Sequence, residues 1–219
     1  MLNCGLGIIM IPAFGLLILL RGSMLLEVLN EVFSTRPGIT EIILCTALCA
    51  LSAMIDTAAP SVSLEGKSLW IPQSLPVQPK TVLRAKSAVQ LILSVPPMLF
   101  AVICVTAIMQ NPIAEKLMIC LVPLLYTVFY TAFSSYLGTK MPIINWVNET
   151  TPIKQSGFIV ISIFGSWAVT IVFAGLYIWK GYQLGIVRYL TLWAVLLAAV
   201  SLILFRWLDT KGSRRFAEL

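Results

Sequence analysis

Long apolar runs separated by short polar segments set the organisation of this chain. Six of them approach the length a helix needs to cross a bilayer, about 20 residues. They are Leu2–Leu20, Ile39–Ala59, Ala88–Met109, Leu117–Leu137, Gly157–Trp179 and Tyr189–Trp207. The pattern predicts an all-α polytopic membrane protein, a single transmembrane domain of six helices. The first run lacks the basic segment that opens a signal peptide, and Arg21 follows the run instead of preceding it, so a retained span is expected. Ser162, Ser166, Thr170 and Ala174 recur every four residues on the fifth span, as Cys45, Cys49 and Ala53 do on the second. Small stripes of this kind let helix backbones approach closely in a bundle. Pro96-Pro97 and Pro123 are expected to kink or break the third and fourth spans.

Composition narrows the class. Apolar residues make up 59% of the 219 and charged residues 11%, with a mean hydropathy of +0.95. A soluble fold of this size carries about 25% charged residues, so this chain cannot cover itself in water-compatible side chains. The net charge of +6 comes from 15 Lys and Arg against 9 Asp and Glu. These cations are scattered between apolar runs, which points to membrane orientation and away from nucleic acid. Segment 61–87 supplies Lys67, Lys80, Arg84 and Lys86, segment 138–156 supplies Lys140 and Lys154, and the C-terminal region supplies Arg206, Lys211, Arg214 and Arg215. The alternate connections hold only Arg21, Arg36, Lys116, Lys180 and Arg188. Ten against five places the first set in the cytoplasm, and six spans then put both termini there.

Little in the chain points to catalysis. There is no histidine, which removes the usual general base near neutral pH and the commonest metal ligand. Cys4, Cys45, Cys49, Cys104 and Cys120 are odd in number, lack CxxC spacing and read as packing residues. GxSxG, HExxH and GxxxxGK[ST] patterns are absent, so no catalytic residue, metal site or cofactor is assigned and the chain is not expected to be an enzyme. The Asn148-Glu149-Thr150 sequon lies on the side assigned to the cytoplasm and reads as chance. The interiors of the other five spans carry no ionisable residue, and Asp56, four residues before Pro60, is the only candidate. It reads as solvated or capping a helix at the interface, with a working role as the alternative. A proton-driven carrier would show more such groups.

The two longer connections carry the information. In segment 57–87, Ser61 or Ser63 is placed to cap a short helix running through Glu65, Gly66, Lys67 and Trp70. Val62, Leu64, Leu69, Trp70 and Ile71 give it an apolar side, and Trp70 suits a membrane interface. Pro72, Pro76 and Pro79 then break helix and impose extended backbone. Glu65-Gly66, followed by Leu75-Pro76-Val77 and by Lys86 opening a span, resembles the cytoplasmic coupling segment of ABC-2 type transporter permeases. The string from Ser63 to Lys86 is similar to that of a bacterial group of ABC exporter permeases. Pro142, Trp146, Asn148, Glu149, Lys154, Gln155 and Ser156 resemble the second cytoplasmic loop of the same group.

That resemblance implies a permease subunit that binds no nucleotide itself and couples to a separate cytoplasmic ATPase. A second permease unit, identical or fused, would complete the pathway in the lipid of the cytoplasmic membrane. It further implies that Glu65 and Lys67 make polar contacts with the ATPase, that Trp70 and Leu75 anchor it, and that Pro72, Pro76 and Pro79 stiffen the connector. Members of the group are commonly longer, so this chain corresponds to their C-terminal six-span portion, as a half-size unit, a split product or a truncated frame. The competing reading is a non-transporting scaffold or regulatory subunit held by Trp70 and the basic cluster on anionic lipid.

Overall fold

The computed structural model describes residues 2–32, 37–74, 76–144, 146 and 156–219, with side chains throughout except at 2–5, 30, 67, 72 and 73. The described residues are helical with no strand. Helix α1 runs Leu2–Val32, α2 Ile39–Ser52, α3 Pro60–Ser63 and α4 Trp70–Ser74. Then follow α5 Pro79–Ile108, α6 Ile113–Lys140, α7 Gly157–Trp179, α8 Ile186–Trp207 and, after a π turn at Leu208–Gly212, α9 Ser213–Ala217. Five of these helices are long and apolar enough to cross a membrane, beginning at Leu6, Pro79, Ile113, Gly157 and Ile186.

The second predicted span departs from this. Helix α2 has 14 residues, about 21 Å at ~1.5 Å per residue, short of a hydrocarbon core of about 30 Å. The expected helix over Ile39–Ala59 ends at Ser52, and the chain continues through Ala53–Ala59 in turns and irregular backbone. That stretch is nonetheless buried, with Ala53, Ile55, Ala58 and Ala59 all at 1% exposure or less. Non-helical backbone at such depth persists only where protein groups satisfy it. The main core joins α1, α2, α5, α6, α7 and α8, with α1 on α5 and α6 between α5 and α8. The small stripes largely face inward: Cys45 and Cys49 on α2 and Ala53 just after it are buried, as are Ser162, Ser166 and Thr170 on α7, while Ala174 is half-buried.

The prolines do not break their helices. Helix α5 is continuous through Pro96-Pro97 and α6 through Pro123. Pro123 has no N–H for the carbonyl of Ile119 four residues earlier, and the Cys45 thiol of α2 donates to that oxygen instead, at 3.8 Å. A neighbouring helix thus replaces part of what the proline removes. Pro79 occupies the first position of α5, where a missing N–H is harmless. Pro72 falls within α4, so it does not extend the chain as expected. Helix α5 also begins nine residues ahead of the predicted Ala88, and α1 runs twelve beyond Leu20.

Start of α1, the segment Ala53–Ser74, the start of α5, the end of α6 and the C-terminal tail gather at one end of the bundle. Gly7 lies against Met54 and Ile55, and Gly138 of α6 against Ala59. At the opposite end Tyr177 donates to the Pro37 carbonyl at 2.7 Å, and Asn111 bridges Glu41 and Glu115.

Candidate coupling surface and buried polar layer

Beneath the first end lies a layer of polar side chains that the apolar reading of the spans largely concealed. Gln90 of α5 is 1% exposed, and its Oε1 accepts from the backbone N–H of both Thr57 and Ala58, at 3.2 and 2.7 Å. Tyr130 of α6 donates to the Ala53 carbonyl at 2.9 Å. Trp167 of α7 donates to the Ala50 carbonyl at 3.1 Å, just before α2 ends. Asp56 Oδ1 accepts from the Ala59 N–H at 3.1 Å and from the Ser134 hydroxyl of α6. The irregular stretch therefore takes side-chain hydrogen bonds from α5 and α6, while α7 holds the last turn of α2 before it. Asp56 belongs to that arrangement. It is 6% exposed, so its expected solvation at an interface gives way to a buried role in holding the turn before α3.

The segment after it is not the single amphipathic helix expected. Helix α3 ends at Ser63, a 3-10 turn spans Gly66–Ser68, and α4 follows at Trp70. Neither serine caps a helix: the Ser61 hydroxyl donates to the Ala58 carbonyl at 2.6 Å, and Ser63 Oγ accepts from the Ile143 N–H at 3.0 Å. The break follows from Gly66, whose φ of +46° is left-handed. A Cβ there would also stand 2.8 Å from Nε1 of Trp146. Trp146 in turn donates to the Ser63 carbonyl at 2.6 Å. Glu65 is ion-paired to Lys86 of α5 at 2.7 Å, and the same Lys86 ammonium donates to the Ser61 carbonyl at 2.9 Å. Glu65 Oε2 is buried with no hydrogen-bond partner among the described residues.

Residues named from three separate stretches of sequence thus meet: Glu65-Gly66, Lys86 and Trp146. The charge on Glu65 is turned inward to Lys86, so it positions the segment and does not project from it. The expected apolar side divides. Val62 and Leu69 are buried in a small second core with Leu83, Leu208 and Phe216. Leu64, Trp70, Ile71 and Val77 face outward, with Trp70 66% exposed, and Pro76 is exposed beside them. Of the remaining candidates, Leu75, Asn148, Glu149, Lys154 and Gln155 lie outside the described residues, as does the side chain of Lys67. Among the described residues no three His, Cys, Asp or Glu side chains are grouped to hold a metal.

Sequence reading missed the part played by the tail. Arg84 of α5 holds Asp209 in a two-pronged pair, Nε to Oδ1 at 2.8 Å and Nη2 to Oδ2 at 2.7 Å. Phe216 is 1% exposed in the second core. Asp209 directly after an apolar run was the available signal, but its partner is 125 positions away. For Gln90 the signal was an amide alone within a run of leucine, isoleucine and valine. No protein-family model matches the chain, and no curated protein or solved structure is significantly similar to it.

Proposed function

We propose that the chain is a membrane-spanning permease subunit of an ATP-binding-cassette exporter in a bacterial cytoplasmic membrane, driven by a separate ATPase subunit. The observation that carries the reading is the meeting of Glu65-Gly66, Lys86 and Trp146. These residues were singled out by resemblance in separate segments, and their mutual contact is independent of that resemblance. In this reading the buried stretch Ala53–Ala59 completes a sixth crossing begun by α2. The end bearing segment 61–87 and the tail then faces the cytoplasm, because the connections assigned to it hold ten of the fifteen Lys and Arg.

The exposed Trp70, Ile71 and Val77 then form the apolar face that meets the ATPase. ATP bound on that partner shifts the permease only as far as it favours one of two arrangements. The junction of Glu65, Lys86 and Trp146 fixes the contact face to the start of α5. A push on α4 is transmitted to α5 through this junction and through the second core, which holds both Leu69 and Leu83.

The test is a mild-detergent pull-down of the tagged protein from its native membrane, followed by mass spectrometry. A P-loop ATPase should accompany the wild type and be lost with Trp70→Ala, whose exposed side chain can be removed without opening the core. Recovery of intact protein without any ATPase over a range of salt concentrations would overturn the reading in favour of a scaffold or regulatory subunit.

A further inference from the structure

At the opposite end of the bundle, α5 and α6 leave between them an open groove of about 690 Å³. Its walls are apolar: Ile103 and Ala107 from α5, Leu117, Leu121 and Leu124 from α6. Both helices are long and apolar enough to cross a membrane, so in a bilayer the groove opens onto lipid. Thr106 adds no demand for a polar ligand, because its hydroxyl already donates to the Val102 carbonyl at 2.9 Å.

Lys116, in the first turn of α6, is the charged residue of the lining. It is half-buried and makes no ion pair among the described residues. Its neighbour Glu115 accepts from Asn111 Nδ2 at 2.7 Å, an amide that also donates to Glu41 at 2.8 Å. A lysine whose aliphatic stem follows an apolar wall places its ammonium at the mouth of that wall. The start of α6 adds to the positive field there: the first bonded amides, Glu115 and Lys116, reach back to Pro112, leaving those of Ile113 and Ala114 ahead of the ladder. A hydrocarbon trough with a cation and a helix N-terminus at its mouth is complementary to an amphiphile with an acyl chain and an anionic head.

We propose that this groove binds one anionic phospholipid of the bilayer, with an acyl chain between α5 and α6 and its phosphate at Lys116. The site does not depend on the transporter reading and would stand if that reading failed.

The experiment titrates the purified full chain in mild detergent with phosphatidylglycerol or phosphatidylcholine and counts bound lipid by native mass spectrometry. The wild type should retain phosphatidylglycerol in preference. Lys116→Gln should weaken that retention roughly tenfold, the effect of losing one charge-assisted contact. Ala107→Trp, which fills the groove and keeps the charge, should reduce retention of both lipids. Lys180→Gln, an exposed cation at the same end but outside the groove, should change nothing. Thermal unfolding confirms that each variant is folded. Equal retention of the two lipids by the wild type would overturn the proposal, as would an equal loss in Lys180→Gln. Cross-linking of two copies through Cys120 would also overturn it, by assigning the face to a second copy of the chain.

Discussion

The stretch Ala53–Ala59 and the middle of α5 behave in opposite ways to their local sequence. The first contains no proline or glycine and follows ten apolar or small residues of helix, yet it is irregular. The second contains Pro96-Pro97 and is helical throughout. For the irregular stretch, the departure follows from the partners that neighbouring helices offer. Gln90, Tyr130 and Asp56 give the irregular stretch acceptors and donors that replace its helical bonds. In apolar surroundings an unpaired backbone group is costly, so the chain unwinds only where such replacements stand ready. The α6 helix shows the reverse case, where one bond lost to Pro123 is partly made good by Cys45. At Ala53–Ala59 and at Pro123, local propensity is thus outweighed by hydrogen bonds from distant residues.

The comparison is broken most severely through Gly138. Its Cβ would lie 2.1 Å from the Ala59 carbonyl oxygen and 2.9 Å from the Ala59 Cα. Backbone on both sides leaves no flexible atom to yield. Gly138→Ala should therefore destabilise the bundle by about 3 kcal/mol or more, at or beyond the upper range for overpacking, read by thermal unfolding in detergent. Gly175→Ala is the matched control, since nothing lies within 4 Å of a Cβ there, and it should leave the midpoint unchanged or slightly raised.

Gln90→Leu comes next. It removes the acceptor from two buried N–H groups without changing the apolar packing class of the site. Leaving buried donors unpaired should cost about 2–3 kcal/mol. Hydrogen exchange at Thr57 and Ala58 should rise in this variant before it rises elsewhere in the bundle. If Gln90→Leu left both stability and exchange unchanged, the side chain would not be what holds the irregular stretch.

Five of the six predicted runs became helices able to cross a membrane, because 20-residue apolar character depends only on composition along the chain. The failure at Ile39–Ala59 was of a different kind. Its residues are mostly apolar, with Glu41 and Asp56 toward its two ends, and the signal for the break lay elsewhere: a buried amide at 90, a hydroxyl at 130 and a glycine at 138. Likewise Glu65, Gly66, Lys86 and Trp146 were each noticed in sequence, but only the fold turns the Glu65 carboxylate inward to Lys86. The left-handed φ of Gly66 breaks what periodicity drew as one helix. Trp70 and Val62 looked equivalent as apolar positions, yet Val62 is buried in the second core with Leu83 and the tail while Trp70 is exposed. Such distinctions rest on contacts across 20 to 150 positions, which a one-dimensional pattern does not carry.

The smallest effect sharpens the other half of the comparison. If Cys45 compensates for Pro123, the two residues are energetically coupled, although Cys45 also packs in the core and its removal has a cost of its own. Pro123→Ala restores an N–H to the Ile119 carbonyl and should stabilise α6 by about 0.5–1 kcal/mol, the net value of one hydrogen bond. Cys45→Ala should then cost a few tenths of a kcal/mol less in that background than beside Pro123, as fits a weak thiol donor. A double-mutant cycle on unfolding midpoints isolates this difference from the shared loss of packing. Strict additivity would mean that Cys45 merely fills space, and that α6 tolerates its proline with no help from α2.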